Sequence, residues 1–227
     1  MIFERVVFEI SPSKLRETQA FYADRFGFEL AEQGEKRFTI RAGATSVTFK
    51  AAAAGERPFY HFALNVPENK FAEVKSWVAA KVPLIEEEGD DEVFFTSWNA
   101  HSVYFEDPAG NIVEFIARHN LASGIDHAFT ARDVMSVSEI GIVAEETLPL
   151  VSELNEAGLP NWREASAEFT PVGDEQGLLI VVRDQREWFF SNGIKARFYP
   201  VEVTVAGAGR FSFSSINRFE TGSNLSS

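Results

Sequence analysis

The sequence predicts an α+β fold built from repeated βαβββ units, forming curled mixed sheets with helices on the convex side. Three observations lead there. Short apolar runs of strand length recur in groups, and each group opens with one strand followed by one amphipathic helix. Glycines and Pro- or Asn-containing breaks separate the runs. The segment Asp107-Pro108-Ala109-Gly110-Asn111 has the composition of a tight turn between two strand-like runs.

The first unit opens with a strand at Val6–Ile10 and breaks at Ser11-Pro12-Ser13, where a serine cap and an early proline suit a helix start. Leu15, Thr18, Tyr22 and Phe26 follow at spacings of three and four, and Gly27 stops the helix. Strands are expected at Phe28–Glu32, Arg37–Arg41 and Thr45–Phe49. The second unit has a strand at Tyr60–Val66 and a helix carrying Phe71, Val74, Trp77 and Val78 on one stripe. Strand segments are then expected at Leu84–Glu87, Val93–Ser97, Ser102–Glu106 and Ile112–Ile116. The third unit has a strand at Ser138–Val143, a helix at Leu148–Ala157 ended by Gly158, and strands at Phe169–Val172, Leu178–Arg183 and Arg197–Val205.

The expected organisation is therefore a paired domain over 1–117, a connector over 118–135, a third unit over 136–205 and a Gly/Ser-rich tail over 206–227. The last seven residues are expected to be disordered. One unit alone leaves an uncovered apolar face and an open sheet edge, whereas two side by side complete a cupped sheet. With three units, one lacks an internal mate. It either caps the first pair or meets its copy in another chain, and a homodimer or other homo-oligomer is the expectation.

Composition narrows the function. The chain has 227 residues, 45% hydrophobic and 24% charged, an ordinary globular balance. It has no cysteine, which excludes disulfides, thiolate nucleophiles and thiolate metal sites. Any metal must be held by the four histidines (His61, His101, His119 and His127), carboxylates or water. The net charge of -13 argues against nucleic acid and anionic membranes as partners, because both are bound largely through lysine and arginine. The N-terminal sequence lacks the basic and apolar regions of a signal peptide, so a cytoplasmic location is expected. No GxxxxGK, GxGxxG, HExxH or GxSxG pattern occurs.

Three stretches carry a family resemblance. Ala20-Phe21-Tyr22 followed by Phe26-Gly27-Phe28, His61–Val66, and above all Tyr104–Phe115 with its Asp-Pro-Ala-Gly-Asn turn and trailing Glu114 resemble the glyoxalase/bleomycin-resistance/extradiol-dioxygenase (vicinal oxygen chelate) superfamily. The likeness spans 1–117, and the third unit resembles the family in layout. It implies a cup that binds a divalent metal (Fe, Mn, Zn or Ni) and a small-molecule substrate. The ligands then fall on His61, from the first strand of the second unit, and on Glu114, from its last strand. The first-unit histidine position falls at or near Arg5, and arginine cannot ligate a cation. The first-strand position of the third unit falls on Glu139, and its last strand offers Glu202.

Read from the residues, His61 with Glu114 suits a metal shell or a general base oriented by a carboxylate. Glu114 interrupts an apolar strand, and a carboxylate there needs a partner or a shifted pKa. His101 and Glu9 are candidates to complete a metal shell; Arg5 and Tyr104 are candidates to bind or protonate a substrate. The loop tryptophans Trp98, Trp162 and Trp188 suit either a pocket wall or a plug at the sheet ends. Two function classes stay open: a metal-dependent lyase, isomerase or dioxygenase, and a metal-free small-molecule binding or sequestering protein.

Overall fold

The computed structural model describes residues 1–222, which form two seven-stranded sheets. The first unit comprises β1 (Phe3–Ile10), α1 (Leu15–Ala20, widening into a π-helical turn over Phe21–Phe26), β2 (Glu29–Gln33), β3 (Arg37–Ala42) and β4 (Thr45–Ala51). The second comprises β5 (His61–Val66), α2 (Phe71–Ala79), β6 (Val93–Phe95), β7 (Ala100–Glu106) and β8 (Ile112–Arg118). The third has β9 (Ser136–Ala144), α3 (Thr147–Glu156), β10 (Phe169–Asp174) and β11 (Gly177–Arg183). A meander follows, with β12 (Val201–Val205), β13 (Gly209–Ser215) and β14 (Arg218–Gly222). Within each unit the first strand runs parallel to the last: β1 to β4, β5 to β8 and β9 to β11. No helix among the described residues is long and apolar enough to cross a membrane.

The pairing of units differs from the sequence expectation. The first sheet has the order β14-β13-β12-β1-β4-β3-β2, and the second β10-β11-β9-β5-β8-β7-β6. Units one and two therefore lie in different sheets. Each completes its sheet with part of the C-terminal half, β5 against β9 and β1 against β12, both antiparallel. The third unit gives three strands to the second sheet, and residues 184–200 then carry the chain across to the first. The stretch read as a Gly/Ser-rich tail supplies β13 and β14 there. Its Phe211 and Phe213 are buried on one face, alternating with the exposed or half-buried Ser212 and Ser214. The disorder expected for the last seven residues falls mainly on 223–227, outside the described residues. Both first strands find partners inside the chain, so the third unit mates within the chain, and each sheet still ends in open edge strands, β14 and β2 in one and β10 and β6 in the other. Leu84–Glu87 does not form the expected strand. Leu84 and Ile85 are half-buried against the core and the Ile85 N–H donates to the Tyr104 carbonyl at 2.8 Å, but the carboxylates from Glu86 onward carry the chain into a turn closed by an isolated Glu87–Asp90 bridge.

The sheets pack back to back around one core, with the helices on their convex sides. Phe8 of β1 stacks on Phe62 of β5 with ring centroids 5.0 Å apart. Phe26 at the end of α1 lies 5.3 Å from Phe105 and 5.2 Å from Trp77 of α2. Each such buried ring contributes about 1.5–3 kcal/mol relative to an exposed one. Because side chains alternate along a strand, the residues between these core positions face outward from each sheet, into two cups that open in opposite directions.

The turn that positions β8 beside β5 is built around a buried carboxylate. Asp107 accepts backbone N–H bonds from Ala109 at 2.8 Å and Asn111 at 3.0 Å, and Gly110 supplies the left-handed backbone (φ 89°). The Asn111 amide donates to Asp107 at 2.8 Å, and the Tyr22 hydroxyl of the first unit donates at 2.7 Å. Asn111 in turn accepts the Tyr60 N–H at 2.9 Å, next to His61. The tyrosine of the first sequence motif and the aspartate of the third are thus one buried contact. Replacing Tyr22 with Phe removes a charge-assisted bond from a buried carboxylate, and about 1.5–3 kcal/mol of stability should be lost in urea unfolding. An unchanged midpoint would show that Asp107 does not depend on it.

Candidate active site

The cup of the second sheet is centred on Ala63. Its methyl group sits level with Glu114 on β8 and with Glu139 on β9, and His61 lies one outward-facing position earlier on β5. A β-bulge decides the third member. Ala63 pairs with Glu139 but Leu64 pairs with Val137, so Ser138 is the extra residue. Ser138 and Glu139 both engage the buried Arg118 of β8: its Nε donates to Ser138 at 3.1 Å, and its Nη2 donates to Glu139.

His61, Glu114 and Glu139 are all buried and each presents one donor atom, the three lying within 4.8 Å of one another. His61 Nε2 is 3.6 Å from Glu114 Oε2 and 3.8 Å from Glu139 Oε2. Ligands that share one ion at about 2.0–2.2 Å sit roughly 4 Å apart or less, so both spacings fit a single cation. Each carboxylate is anchored through its other oxygen. The Ser102 hydroxyl donates to Glu114 Oε1 at 2.5 Å, and Arg118 holds Glu139 Oε1. Both Oε2 atoms are left facing the imidazole. One imidazole and two carboxylates, oriented by a second layer of hydrogen bonds, suit Zn, Mn, Fe or Ni.

Burial pushes the Glu114 carboxyl up to about 7, reinforced by the charge of Glu139 and opposed by His61, Ser102 and Arg118. Burial also raises the Tyr104 hydroxyl well above its ordinary value, with Glu114 and Glu139 adding to the shift. Tyr104 therefore stays a neutral phenol with a proton to donate.

A cavity of about 250 Å³ lies over these groups, walled by Phe95, Trp98, Phe169, Ile180, Trp188 and Phe189, with Arg186 also lining it. Burial lowers the Arg186 pKa. Trp188 comes from the crossing segment, and its ring lies 5.2 Å from that of His61. Gly141 makes this approach feasible, because a Cβ there would stand 2.5 Å from the indole. Trp162 packs edge-on against Trp98 at 4.9 Å, behind the wall. The tryptophans thus serve as pocket wall and as plug.

Of the sequence candidates, the structure gathers His61, Glu114 and Tyr104 in one cup. Arg5 and Glu9 lie elsewhere, in the cup of the first sheet, because units one and two do not share a sheet; Glu9 is 3.2 Å from Lys50. His101 neighbours Ser102 on β7, so alternation turns it to the opposite face, where its Nδ1 lies 2.7 Å from His119 Nε2. Neither Glu9 nor His101 can complete this shell. His127 is an exposed partner of Asp133 at 2.9 Å. Arg118 and Ser102 are not among the sequence candidates. Glu139 is the first-strand position that the resemblance gives the third unit, and the sequence does not show that this unit shares the cup of the second.

Residues 6–115 match the model of the Glyoxalase/Bleomycin resistance protein/Dioxygenase superfamily. No curated protein matches the sequence. Among solved structures, a mutant of glyoxalase I from Zea mays is similar, with TM-score 0.57 and 14% identity over 80% of this chain and 68% of that one. A candidate dioxygenase from Bacillus subtilis subsp. subtilis str. 168 has TM-score 0.53 and 17% identity, over 80% of this chain and 63% of that one. At these identities the likeness concerns the fold.

The buried Glu114 has a thermodynamic signature. Its carboxyl titrates near 7 in the folded chain against 4.5 for an ordinary glutamate, so folding favours the protonated form. That contribution is fully present below pH 4.5 and is lost as pH rises through 7. Glutamine is neutral throughout and retains an acceptor for Ser102. Glu114→Gln should therefore stabilise the metal-free protein at pH 8 relative to pH 5, by roughly 3 kcal/mol at about 1.4 kcal/mol per pKa unit. Equal effects at both pH values in denaturant titrations would contradict the shift.

Proposed function

We propose that this chain, whose residues 6–115 match the model of the Glyoxalase/Bleomycin resistance protein/Dioxygenase superfamily, is a metal-dependent enzyme of glyoxalase-like type, acting as a lyase, isomerase or dioxygenase on a small molecule. The observation that carries this reading is the convergence of His61 Nε2, Glu114 Oε2 and Glu139 Oε2 inside one buried cup. A divalent ion held there supplies Lewis-acid charge to adjacent substrate oxygens.

The chain's own residues do the rest. The aromatic walls bind the apolar part of a substrate of modest size and exclude water from it. Arg186 offers a guanidinium to an anionic substituent. Tyr104 keeps its proton beside the two carboxylates and can donate it to an oxygen that gains charge. Arg118 and Ser102 fix the two carboxylates so that Oε2 of each stays aimed at the reacting centre.

The second reading is a metal-free binding protein of the same fold. One observation favours it: a proton on Glu114, whose carboxyl titrates near 7, can relieve the repulsion with Glu139 without any metal. Elemental analysis of untagged protein purified with added Mn, Fe, Zn or Ni separates the two. The enzyme reading expects about one metal per chain, lost in His61→Ala, Glu114→Ala and Glu139→Ala. Metal uptake should weaken below pH 7 as protons compete for the ligand atoms. No bound metal in the parent, with all three variants folded, would leave the binding protein as the account.

A further inference from the structure

The cup of the first sheet repeats, register for register, the positions that build the site of the second. Around Ala63 those positions are His61, one outward-facing residue earlier on the same strand, and the residues level with Ala63 on the two flanking strands, Glu114 and Glu139. Val7 is the counterpart of Ala63, with Thr48 and Glu202 level with it on β4 and β12. Arg5 stands where His61 stands. The metal-ligand geometry has thus been replaced by a guanidinium, a hydroxyl and a carboxylate, a set that cannot hold a cation but places a fixed positive charge in the cup.

The surroundings extend that charge. A concavity of about 360 Å³ is lined by Arg5, Arg37, Lys50 and Arg210, with Glu202 as the one carboxylate among its lining residues. This gathering of cations occurs in a chain of net charge -13. Three of the four are tethered. Lys50 lies 3.2 Å from Glu9 and 3.4 Å from Glu202, Arg37 lies 2.6 Å from Glu32, and Arg210 pairs with Glu202. Arg5 has no ion-pair partner among the described residues. It is flanked at its own level by Thr204 and Ser46, and beyond these by Arg210 and Arg41. The row alternates guanidinium and hydroxyl across five strands. Arg41 Nη1 donates to Ser46 Oγ at 3.0 Å.

We propose that the cup of the first sheet is a second binding site that takes a small dianion, a dicarboxylate or a phosphate group, with Arg5 as its principal cation. The planar fork of an arginine matches the two oxygens of a carboxylate or phosphate. Thr204 and Ser46 add neutral donors on either side, and with Arg37, Lys50 and Arg210 already paired to Glu32, Glu9 and Glu202, the uncompensated positive charge of this face is that of Arg5. The ion pairs of Lys50, Arg37 and Arg210 hold their heads around the cavity and spare Arg5 for the ligand. This site stands apart from the metal reading of the other cup.

Calorimetric titration of the full-length protein at low ionic strength, with succinate and with inorganic phosphate in separate runs, tests it. The parent should bind at least one of the two saturably, and the tighter probe identifies the ligand as carboxylate or phosphate. Arg5→Ala should weaken that binding about tenfold or more, the loss expected for a charge-assisted pair, and Arg5→Lys should recover part of it. His61→Ala should leave it unchanged. Arg5 is exposed, so both of its variants should unfold at the parent's temperature. No saturable binding of either probe, affinity unchanged in Arg5→Ala, or binding lost in His61→Ala would overturn the assignment.

Discussion

Two carboxylates buried within one small cup repel each other, and much of the second sheet is arranged to make that tolerable. Glu114 and Glu139 project from strands on either side of β5, with water largely excluded. Arg118 neutralises one, Ser102 donates to the other, and an imidazole stands between their free oxygens. With both carboxylates ionised and His61 neutral, the group still carries one net negative charge, which the interior does not accept without a proton or a cation. The raised pKa of Glu114 is the protonic answer to that imbalance; a divalent ion is the metallic one. The same geometry admits both, which is why the pH dependence of the metal-free protein and its affinity for metal are linked properties.

That arrangement requires strands from two units that are distant in sequence. β5 and β8 come from one and β9 from the next, and their alignment rests on the Asp107 turn, the bulge at Ser138 and the antiparallel β5–β9 register. The crossing segment over 184–200 has two tasks. It lays Trp188 over His61, into space left open by Gly141, and it delivers β12 to the other sheet. Closure of one cup and completion of the other are thereby coupled through one stretch of chain. The two cups have diverged chemically on a common register, one acidic and walled by aromatic side chains, the other lined chiefly by arginine and lysine.

Much of this was legible in the sequence. The strand–helix–strand alternation placed most elements within a few residues, and Glu114 stood out because a carboxylate inside Ile112–Ile116 has no reason to be buried alone. The pairing of units was not legible. Strand periodicity reports which face of a strand is apolar, not which strand lies beside it, so the natural assumption joined neighbours in sequence. That assumption carried Arg5 and Glu9 into the wrong cup and left Glu139 outside the right one. The bulge hid Glu139 further, since strict alternation does not place Ser138 and Glu139 on the same side. His101 failed for the opposite reason: alternation with Ser102 would have turned it away from the cup had the face of Ser102 been fixed first. The tail misled through composition, because its serines are the outward half of a strand whose inward half is Phe211 and Phe213.

The central claim is that His61, Glu114 and Glu139 converge on one cation. Anomalous diffraction from crystals soaked in Mn or Zn tests it most directly. The account predicts a single strong peak within bonding distance of His61 Nε2 and of Oε2 on both glutamates, with Arg118 still holding Glu139 Oε1. A peak that lacks Glu139, or density in this cup that stays empty while the metal binds elsewhere on the chain, would contradict it.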